Sequence, residues 1–147
     1  MTPDRIDRIF LRLRERTDTQ SAVIVCLCTG DTLPEGCSPM PREPSPATGI
    51  LLAEDFVTVF EQALHLNAAV HDGAIIVSRS TATEDYRISG WSYRLHPNVA
   101  AAPAVANRGS AFNSCLAMSC VNGVDRVYLA TKLQLFSYQR GNITQLN

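Results

Sequence analysis

The sequence lacks the features that mark membrane-spanning, secreted or strongly nucleic-acid-binding chains. None of its apolar runs reaches the roughly 20 residues that cross a bilayer. Its first residues, MTPDRIDRIFLRLRER, are charged throughout, unlike a secretory signal. The formal net charge is −1, so no basic surplus attracts nucleic acid by counterion release. We therefore expect a cytoplasmic protein with neither a membrane nor a nucleic-acid partner.

Several motifs that carry familiar chemistry are also absent. The chain has no G-x-G-x-x-G, no P-loop and no G-x-S-x-G pattern, which excludes the usual dinucleotide, triphosphate and hydrolase signatures. Its five cysteines include no CxxC pair and its three histidines share no spacing, which argues against a zinc site. We expect all five cysteines to be reduced thiols, most of them buried.

What is present suits one domain over residues 1–147. Hydrophobic residues make up 46% and charged residues 18%, as in soluble globular proteins. Apolar spacing predicts helices over 4–16, 52–66 and 110–119, and β-branched or apolar runs predict strands over 21–28, 71–77, 86–93, 125–131 and 133–139. A turn and a last strand are expected in 140–146. This order predicts an α/β fold with a central mixed β-sheet flanked by helices.

Residues 30–49 interrupt this order with five prolines. Proline fixes φ and removes a backbone donor, so we expect a long irregular loop, with room for a short edge strand. Loops of this length are uncommon in compact domains and are usually functional or mobile.

An acid stands at the start of a predicted core strand, in the stretch VHDGAIIV over 70–77. Asp72 and Gly73 form a common turn dipeptide, so local hydrogen bonding explains them without any function. The alternative is that Asp72 binds a metal or a hydroxyl group while Gly73 lets a ligand approach the backbone.

A second candidate is NRGSAFNS over 107–114. Gly109 and Ser110 open a predicted helix whose first amides can bind an anion, and Arg108 can clamp a phosphate. The alternative is that Ser110 caps the helix and Arg108 is solvated.

Taken in order, these features resemble the diadenylate cyclase domain over roughly residues 6–146. His71 to Ala74 match the family's His-Asp-Gly-Ala identically, and the rest of the likeness is one of pattern. The resemblance implies a homodimer in which two ATP molecules meet face to face and yield cyclic di-AMP. It implies that Asp72 holds Mg²⁺ or Mn²⁺ and helps activate a 3′-hydroxyl for attack on the other ATP.

The family's phosphate-binding residues are not kept. Where the family has Thr-Arg-His-Arg, this chain has Ser110, Ala111, Phe112 and Asn113. Where the family has Ser-Glu-Glu, it has ATK over 130–132. Because phosphoryl transfer depends on positioning and charge neutralisation, these losses should cost orders of magnitude in rate.

We therefore expect a divergent domain that binds a nucleotide or a nucleotide-derived signal as a sensor or regulatory module, without efficient catalysis. It would act as a homodimer or beside a partner protein. One alternative is an active cyclase, with Asp72 catalytic. Another is a scaffold that has lost the pocket. The expected binding residues are Asp72, Gly73, Ala74, Arg108, Gly109, Ser110, Asn113 and Thr131.

Overall fold

A mixed β-sheet organises the chain, with helices packed on both faces. The computed structural model describes residues 1–16, 22–98 and 108–147. Its helices are α1 (Pro3–Leu11), α2 (Phe56–Leu66) and α3 (Ser110–Met118). Its strands are β1 (Val23–Thr29), β2 (Cys37–Pro39), β3 (Ile50–Leu51), β4 (Ala74–Arg79), β5 (Arg87–Leu95), β6 (Val124–Ala130), β7 (Leu135–Gln139) and β8 (Asn142–Gln145). The predicted α/β class is confirmed.

The strands lie in the order β2-β5-β4-β1-β6-β7-β8, and β3 also pairs with β5. Only β1 and β4 pair in parallel within the described residues, while the other ladders are antiparallel. Ile24 lies beside Ala74 in one ladder and beside Leu129 in the other. The start of β4 is therefore at the same sheet edge as the start of β1 and the end of β6. We call this the β4-start edge.

Two apolar layers fill the space between sheet and helices. On one face, α1 and α2 cover a cluster that includes Phe10, Phe56 and Tyr128. On the other face, α3 covers a second cluster that includes Cys115, Met118 and Tyr138. All five cysteines are free thiols, and three of them are buried. Because α3 lies alone on its face among the described helices, its first turn is what meets the β4-start edge from that side.

A tyrosine and an aspartate fasten α1 to the sheet. The Tyr128 hydroxyl donates to Asp7 Oδ1 at 2.5 Å, and Arg126 Nη1 lies 3.6 Å from the same oxygen. Burial, followed by the hydrogen bond to Asp7, raises the pKa of Tyr128 well above its ordinary value. The hydroxyl therefore stays protonated and remains a donor at any physiological pH.

Element boundaries differ from the prediction by three residues or more at three places, and by one or two residues elsewhere. α1 ends at Leu11 and continues only as a 3₁₀ turn over Arg12–Glu15. α2 begins at Phe56 rather than at residue 52, because the Leu52 amide donates to the Tyr86 carbonyl at 2.9 Å and continues an extended segment. β4 begins at Ala74 because a 3₁₀ turn over Ala68–His71 precedes it. The sequence HPNVAAAPAVANRG also predicts an Ala/Pro-rich loop over 96–109, most of which lies outside the described residues.

No helix in the described part of the chain is long and apolar enough to cross a membrane.

We predict that Phe10→Ala destabilises the fold by about 3–5 kcal/mol, the usual cost of truncating a buried aromatic ring. Phe10 is fully buried, with its ring centroid 5.2 Å from that of Phe56 and 4.5 Å from that of Tyr128. Urea unfolding followed by circular dichroism measures the change. The control is Leu133→Ala, whose side chain is 71% exposed and should change stability by no more than about 0.5 kcal/mol. Equal losses in the two variants would contradict this core assignment.

Candidate functional site

A small cleft of about 260 Å³ opens at the β4-start edge, between the sheet and the first turns of α3. It joins the two candidate segments of the sequence, one at Asp72 and the other at Ser110, which lie far apart along the chain. Its polar or glycine lining is Asp72, Gly73, Arg94, Ser110 and Ser114, and its more apolar lining is Ile24, Met40, Ala74, Tyr93, Leu95 and Ala111. The cleft thus has an apolar floor and a polar mouth, which is typical of small-molecule sites, although its volume falls just below their usual range of about 300–1,000 Å³.

Asp72 is presented at the mouth by the turn before β4. Its amide donates to the Ala69 carbonyl at 3.1 Å, which ends the 3₁₀ turn and directs the chain into the strand. The carboxylate is not used in capping that turn, and its side chain is 67% exposed. The turn-only interpretation therefore accounts for the backbone of Asp72 and leaves its carboxylate directed elsewhere.

Gly73 is required by two constraints at once. Its φ is +95°, a conformation that side chains with a Cβ rarely adopt. A Cβ placed there would lie 2.6 Å from Met40 Cε and 2.8 Å from the backbone carbon of Ser92. The glycine therefore lets Ser92 of β5 and the side chain of Met40 pack directly against the backbone beside Asp72.

The first turn of α3 contributes backbone amides to this region. Gly109 is the N-cap residue, so within the described residues no side chain caps the helix, and the alternative of a cap by Ser110 is not what forms. Ser110 is instead the first helical residue and lines the cleft with Ala111. The leading amides of a helix without a side-chain acceptor are free to bind an anion.

The remaining predicted residues do not line this cleft. The Arg108 guanidinium lies over the Phe112 ring, 4.9 Å from its centroid, on the side of α3 that faces β7. Asn113 Nδ2 donates to the Arg108 carbonyl at 3.5 Å. Thr131 bonds to Gln134 in the turn between β6 and β7. Gly109 contributes only as the helix cap.

The position that the resemblance gives to a histidine is part of the core. Phe112 is 7% exposed and packs edge-on against Phe136 and Tyr138. Ala111, at the place of the family's first arginine, does line the cleft. α3 therefore brings no cationic side chain to the cleft.

The Pro-rich segment supplies a residue that sequence reasoning missed. Residues 37–51 run antiparallel along β5, pairing as β2 at one end and as β3 at the other. Between them the chain leaves the sheet over residues 40–47, which we call the strap. Three of its eight residues are proline, and proline cannot continue a hydrogen-bonded ladder. The expected short edge strand is confirmed, and the irregular part reaches over the start of β4.

Arg42, in the strap, contacts the carboxylate of Asp72. Its Nη2 lies 3.4 Å from Asp72 Oδ2, while its Nε donates to Ser92 Oγ at 3.2 Å. The Arg42 side chain is only 19% exposed. A guanidinium held at two of its nitrogens therefore stands beside the acid that the sequence analysis ranked first.

Ser92 connects the strap to the turn before β4. It is fully buried and has a φ of +58°, unusual for a residue with a side chain. Its carbonyl accepts from the Met40 amide at 2.9 Å, and its hydroxyl also donates to the Val70 carbonyl at 3.4 Å. Strained backbone of this kind persists where surrounding contacts determine it, and such positions are frequent at binding sites.

We predict that Gly73→Ala destabilises the protein more than Gly49→Ala does, by about 1–3 kcal/mol, a typical overpacking cost. Both glycines have positive φ, +95° and +86°, so both substitutions strain the backbone. Only at Gly73 does the added methyl group meet neighbours, because nothing lies within 4 Å of it at Gly49. Urea unfolding of the two variants measures the difference. Equal losses would show that the Met40–Ser92 packing against Gly73 is not tight.

Comparison with known proteins gives a fold and no closer relationship. No protein-family model matches the chain, and no curated protein matches it significantly. Among solved structures, a hypothetical membrane spanning protein from Bacillus cereus superposes with a TM-score of 0.63 at 11% sequence identity. The match covers 98% of this chain and 62% of that one, so this chain spans less than two thirds of that protein's length.

The diadenylate cyclase DacA from Staphylococcus aureus is also similar, with a TM-score of 0.55 at 11% identity. The match covers 97% of this chain and 83% of that one. At this identity the likeness concerns the backbone architecture, and it agrees with the order of strands and helices found here. The chain therefore has a diadenylate-cyclase-like fold.

Proposed function

We propose that the chain is a nucleotide-binding regulatory module that uses the cleft at the β4-start edge and does not catalyse efficient nucleotidyl transfer. The observation that carries the proposal is the meeting of Asp72 and Gly73 with Ser110 and Ala111 in one cleft. These are the two segments to which the resemblance assigns nucleotide contacts.

The chemistry of the lining suits a phosphorylated ligand with an apolar or aromatic part. The uncapped amides of α3 and the Arg94 side chain favour anionic groups at the mouth. Tyr93 and Leu95 offer apolar surface for a base or a similar ring. A volume of about 260 Å³ is enough for part of a nucleotide, so the rest would extend into solvent.

Loss of efficient catalysis follows from what the cleft does not contain. Ala111 stands where the resemblance places the family's first arginine, and it lines the cleft. Phe112 stands where the resemblance places the histidine, and its ring is buried. Charge that develops on a transferring phosphoryl group would thus meet no side-chain cation from α3. Removing one such electrostatic contact typically costs about a hundred- to a thousandfold in rate.

An active cyclase is the second candidate. It is favoured by the carboxylate of Asp72, whose side chain is 67% exposed and lines the cleft. The space beside Gly73 is filled by Met40 and Ser92, so this glycine does not admit a ligand. The two candidates share the binding step and differ in whether product forms.

The test is thermal denaturation with ATP, GTP, AMP and cyclic di-AMP, alongside an assay for released pyrophosphate with ATP and Mn²⁺. We expect at least one nucleotide to raise the melting temperature by linkage, with no product above that of an Asp72→Ala control. Pyrophosphate release that the control abolishes would favour the cyclase. A flat thermal response to all four ligands, in folded protein, would overturn the proposal.

We further predict that Ala111→Arg tightens nucleotide binding about ten- to a hundredfold, since a charge-assisted hydrogen bond contributes about 1.5–3 kcal/mol. Isothermal titration calorimetry measures the change. The matched control is Ala117→Arg, which adds the same charge at another half-buried alanine of α3 that does not line the cleft. An equal gain in both variants would point to general attraction by charge, and no gain in either would place the phosphate away from Ala111.

A further inference from the structure

We infer that the Arg42 guanidinium takes the place at Asp72 that the resemblance gives to a divalent cation, so that the cleft accepts its ligand without a metal. The inference that a ligand binds without a metal rests on the proposed function. The inference that Arg42 takes the place of the cation does not.

The charges around Asp72 do not fit a divalent metal, because the Arg42 guanidinium lies 3.4 Å from its carboxylate and Arg94 lies in the same lining. Magnesium is usually bound through one or two carboxylates together with phosphates, and manganese likewise favours carboxylate oxygens. Asp72 is the one acid among the described residues that line the cleft, and Arg94 is a cation in the same lining. In the described ranges, no group of three or more histidine, cysteine, aspartate or glutamate side chains is placed to hold a metal.

Hydrogen bonds to the backbone of the strap, before and after Arg42 along the chain, hold this residue beside Asp72. The backbone of the strap is fixed two residues earlier, where the Met40 amide donates to the Ser92 carbonyl at 2.9 Å. Further along, Asn67 Nδ2 donates to the Pro44 carbonyl at 3.0 Å, and Trp91 Nε1 donates to the Ala47 carbonyl at 3.0 Å. The guanidinium is therefore positioned by the strap and by Ser92 as well as by its attraction to Asp72.

The arrangement changes the sign of the charge at the cleft mouth. Arg42 offsets the charge of Asp72, and Arg94 leaves an excess of one positive charge among these three side chains. A divalent cation would be repelled there, while a phosphate or carboxylate group would be attracted. Arginine also presents several donors in a planar fork, which suits binding of such anions alongside its contacts to Ser92 and Asp72.

Whether Arg42 takes the place of a cation is tested by titrating Mn²⁺ into ¹⁵N-labelled protein and recording amide line broadening. This measurement detects weak binding and needs no nucleotide. We expect no selective broadening of Gly73 and Ala74 in the unaltered chain. Arg42→Ala should create selective broadening there, and the double variant Arg42→Ala with Asp72→Asn should abolish it.

Two further variants make the result interpretable. Arg87→Ala removes an arginine whose Nη1 bonds to the Gly49 carbonyl at 3.0 Å, at the other end of the same edge segment, and should behave like the unaltered chain. Arg42→Gln keeps a donor for Ser92 and serves if Arg42→Ala does not fold. Broadening in the unaltered chain that Asp72→Asn removes would overturn the inference. So would the absence of broadening in both folded Arg42 variants.

Whether the cleft binds its ligand without a metal is tested by calorimetry in EDTA and in Mn²⁺, with the nucleotide that gives the largest thermal shift. We expect affinities that agree within about twofold, and a loss of about tenfold or more in Arg42→Ala in EDTA, as for a lost charge-assisted contact. Affinity that depends on Mn²⁺ and not on Arg42 would overturn this inference. If no nucleotide binds under either condition, the proposed function fails while the Mn²⁺ titration still judges the role of Arg42.

Discussion

The contact on which the site depends is the packing of Gly73 against Ser92. It brings the backbone of β5 so close to the start of β4 that a methyl group at Gly73 would lie 2.8 Å from a backbone carbon. The same serine holds the strap through its carbonyl and Arg42 through its hydroxyl. If this packing loosened, Ser92 would no longer fix the position of the strap and of the Arg42 guanidinium relative to the carboxylate of Asp72.

This packing places a side chain from the strap, and not one from α3, beside the acid of the cleft. The backbone keeps the arrangement in which a turn before β4 faces the first turn of α3. Ala111 and Phe112 of α3 bring no charge to this region, whereas the Arg42 guanidinium of the strap lies 3.4 Å from the Asp72 carboxylate. The likeness of fold therefore does not by itself specify the chemistry of the cleft, which depends on the side chains that each segment supplies.

Local patterns in the sequence predicted the helices, the main strands and the irregular segment, because these depend mostly on residues close together in the chain. Apolar spacing and β-branched runs identified the helices and the main strands, and the prolines identified an irregular segment with a short edge strand. The meeting of Asp72 with Ser110 was expected only through the family resemblance. The ends of elements were less accurate: Leu52 is held by a hydrogen bond to Tyr86, and no local signal reveals that bond.

Side-chain partners over long distances were the part that the sequence did not reveal. Arg108 was expected near a phosphate, yet its guanidinium lies over Phe112 and Phe136, rings that also fill the core. Arg42 lies between two prolines at 41 and 44 with a glutamate, and nothing in that stretch indicates a partner 30 residues away. Its contact depends on where the strap leaves β5, which is a property of the whole sheet. The unusual length of the loop was the one available signal.

We infer that Arg42, and not a metal ion, occupies the place beside the carboxylate of Asp72. A crystal structure grown with MnCl₂ and ATP, with data collected for anomalous scattering by manganese, tests it most directly. We expect the Arg42 guanidinium within hydrogen-bonding or ion-pair distance of Asp72 and no anomalous peak beside that carboxylate. An anomalous peak on Asp72, with Arg42 displaced from it, would contradict the account.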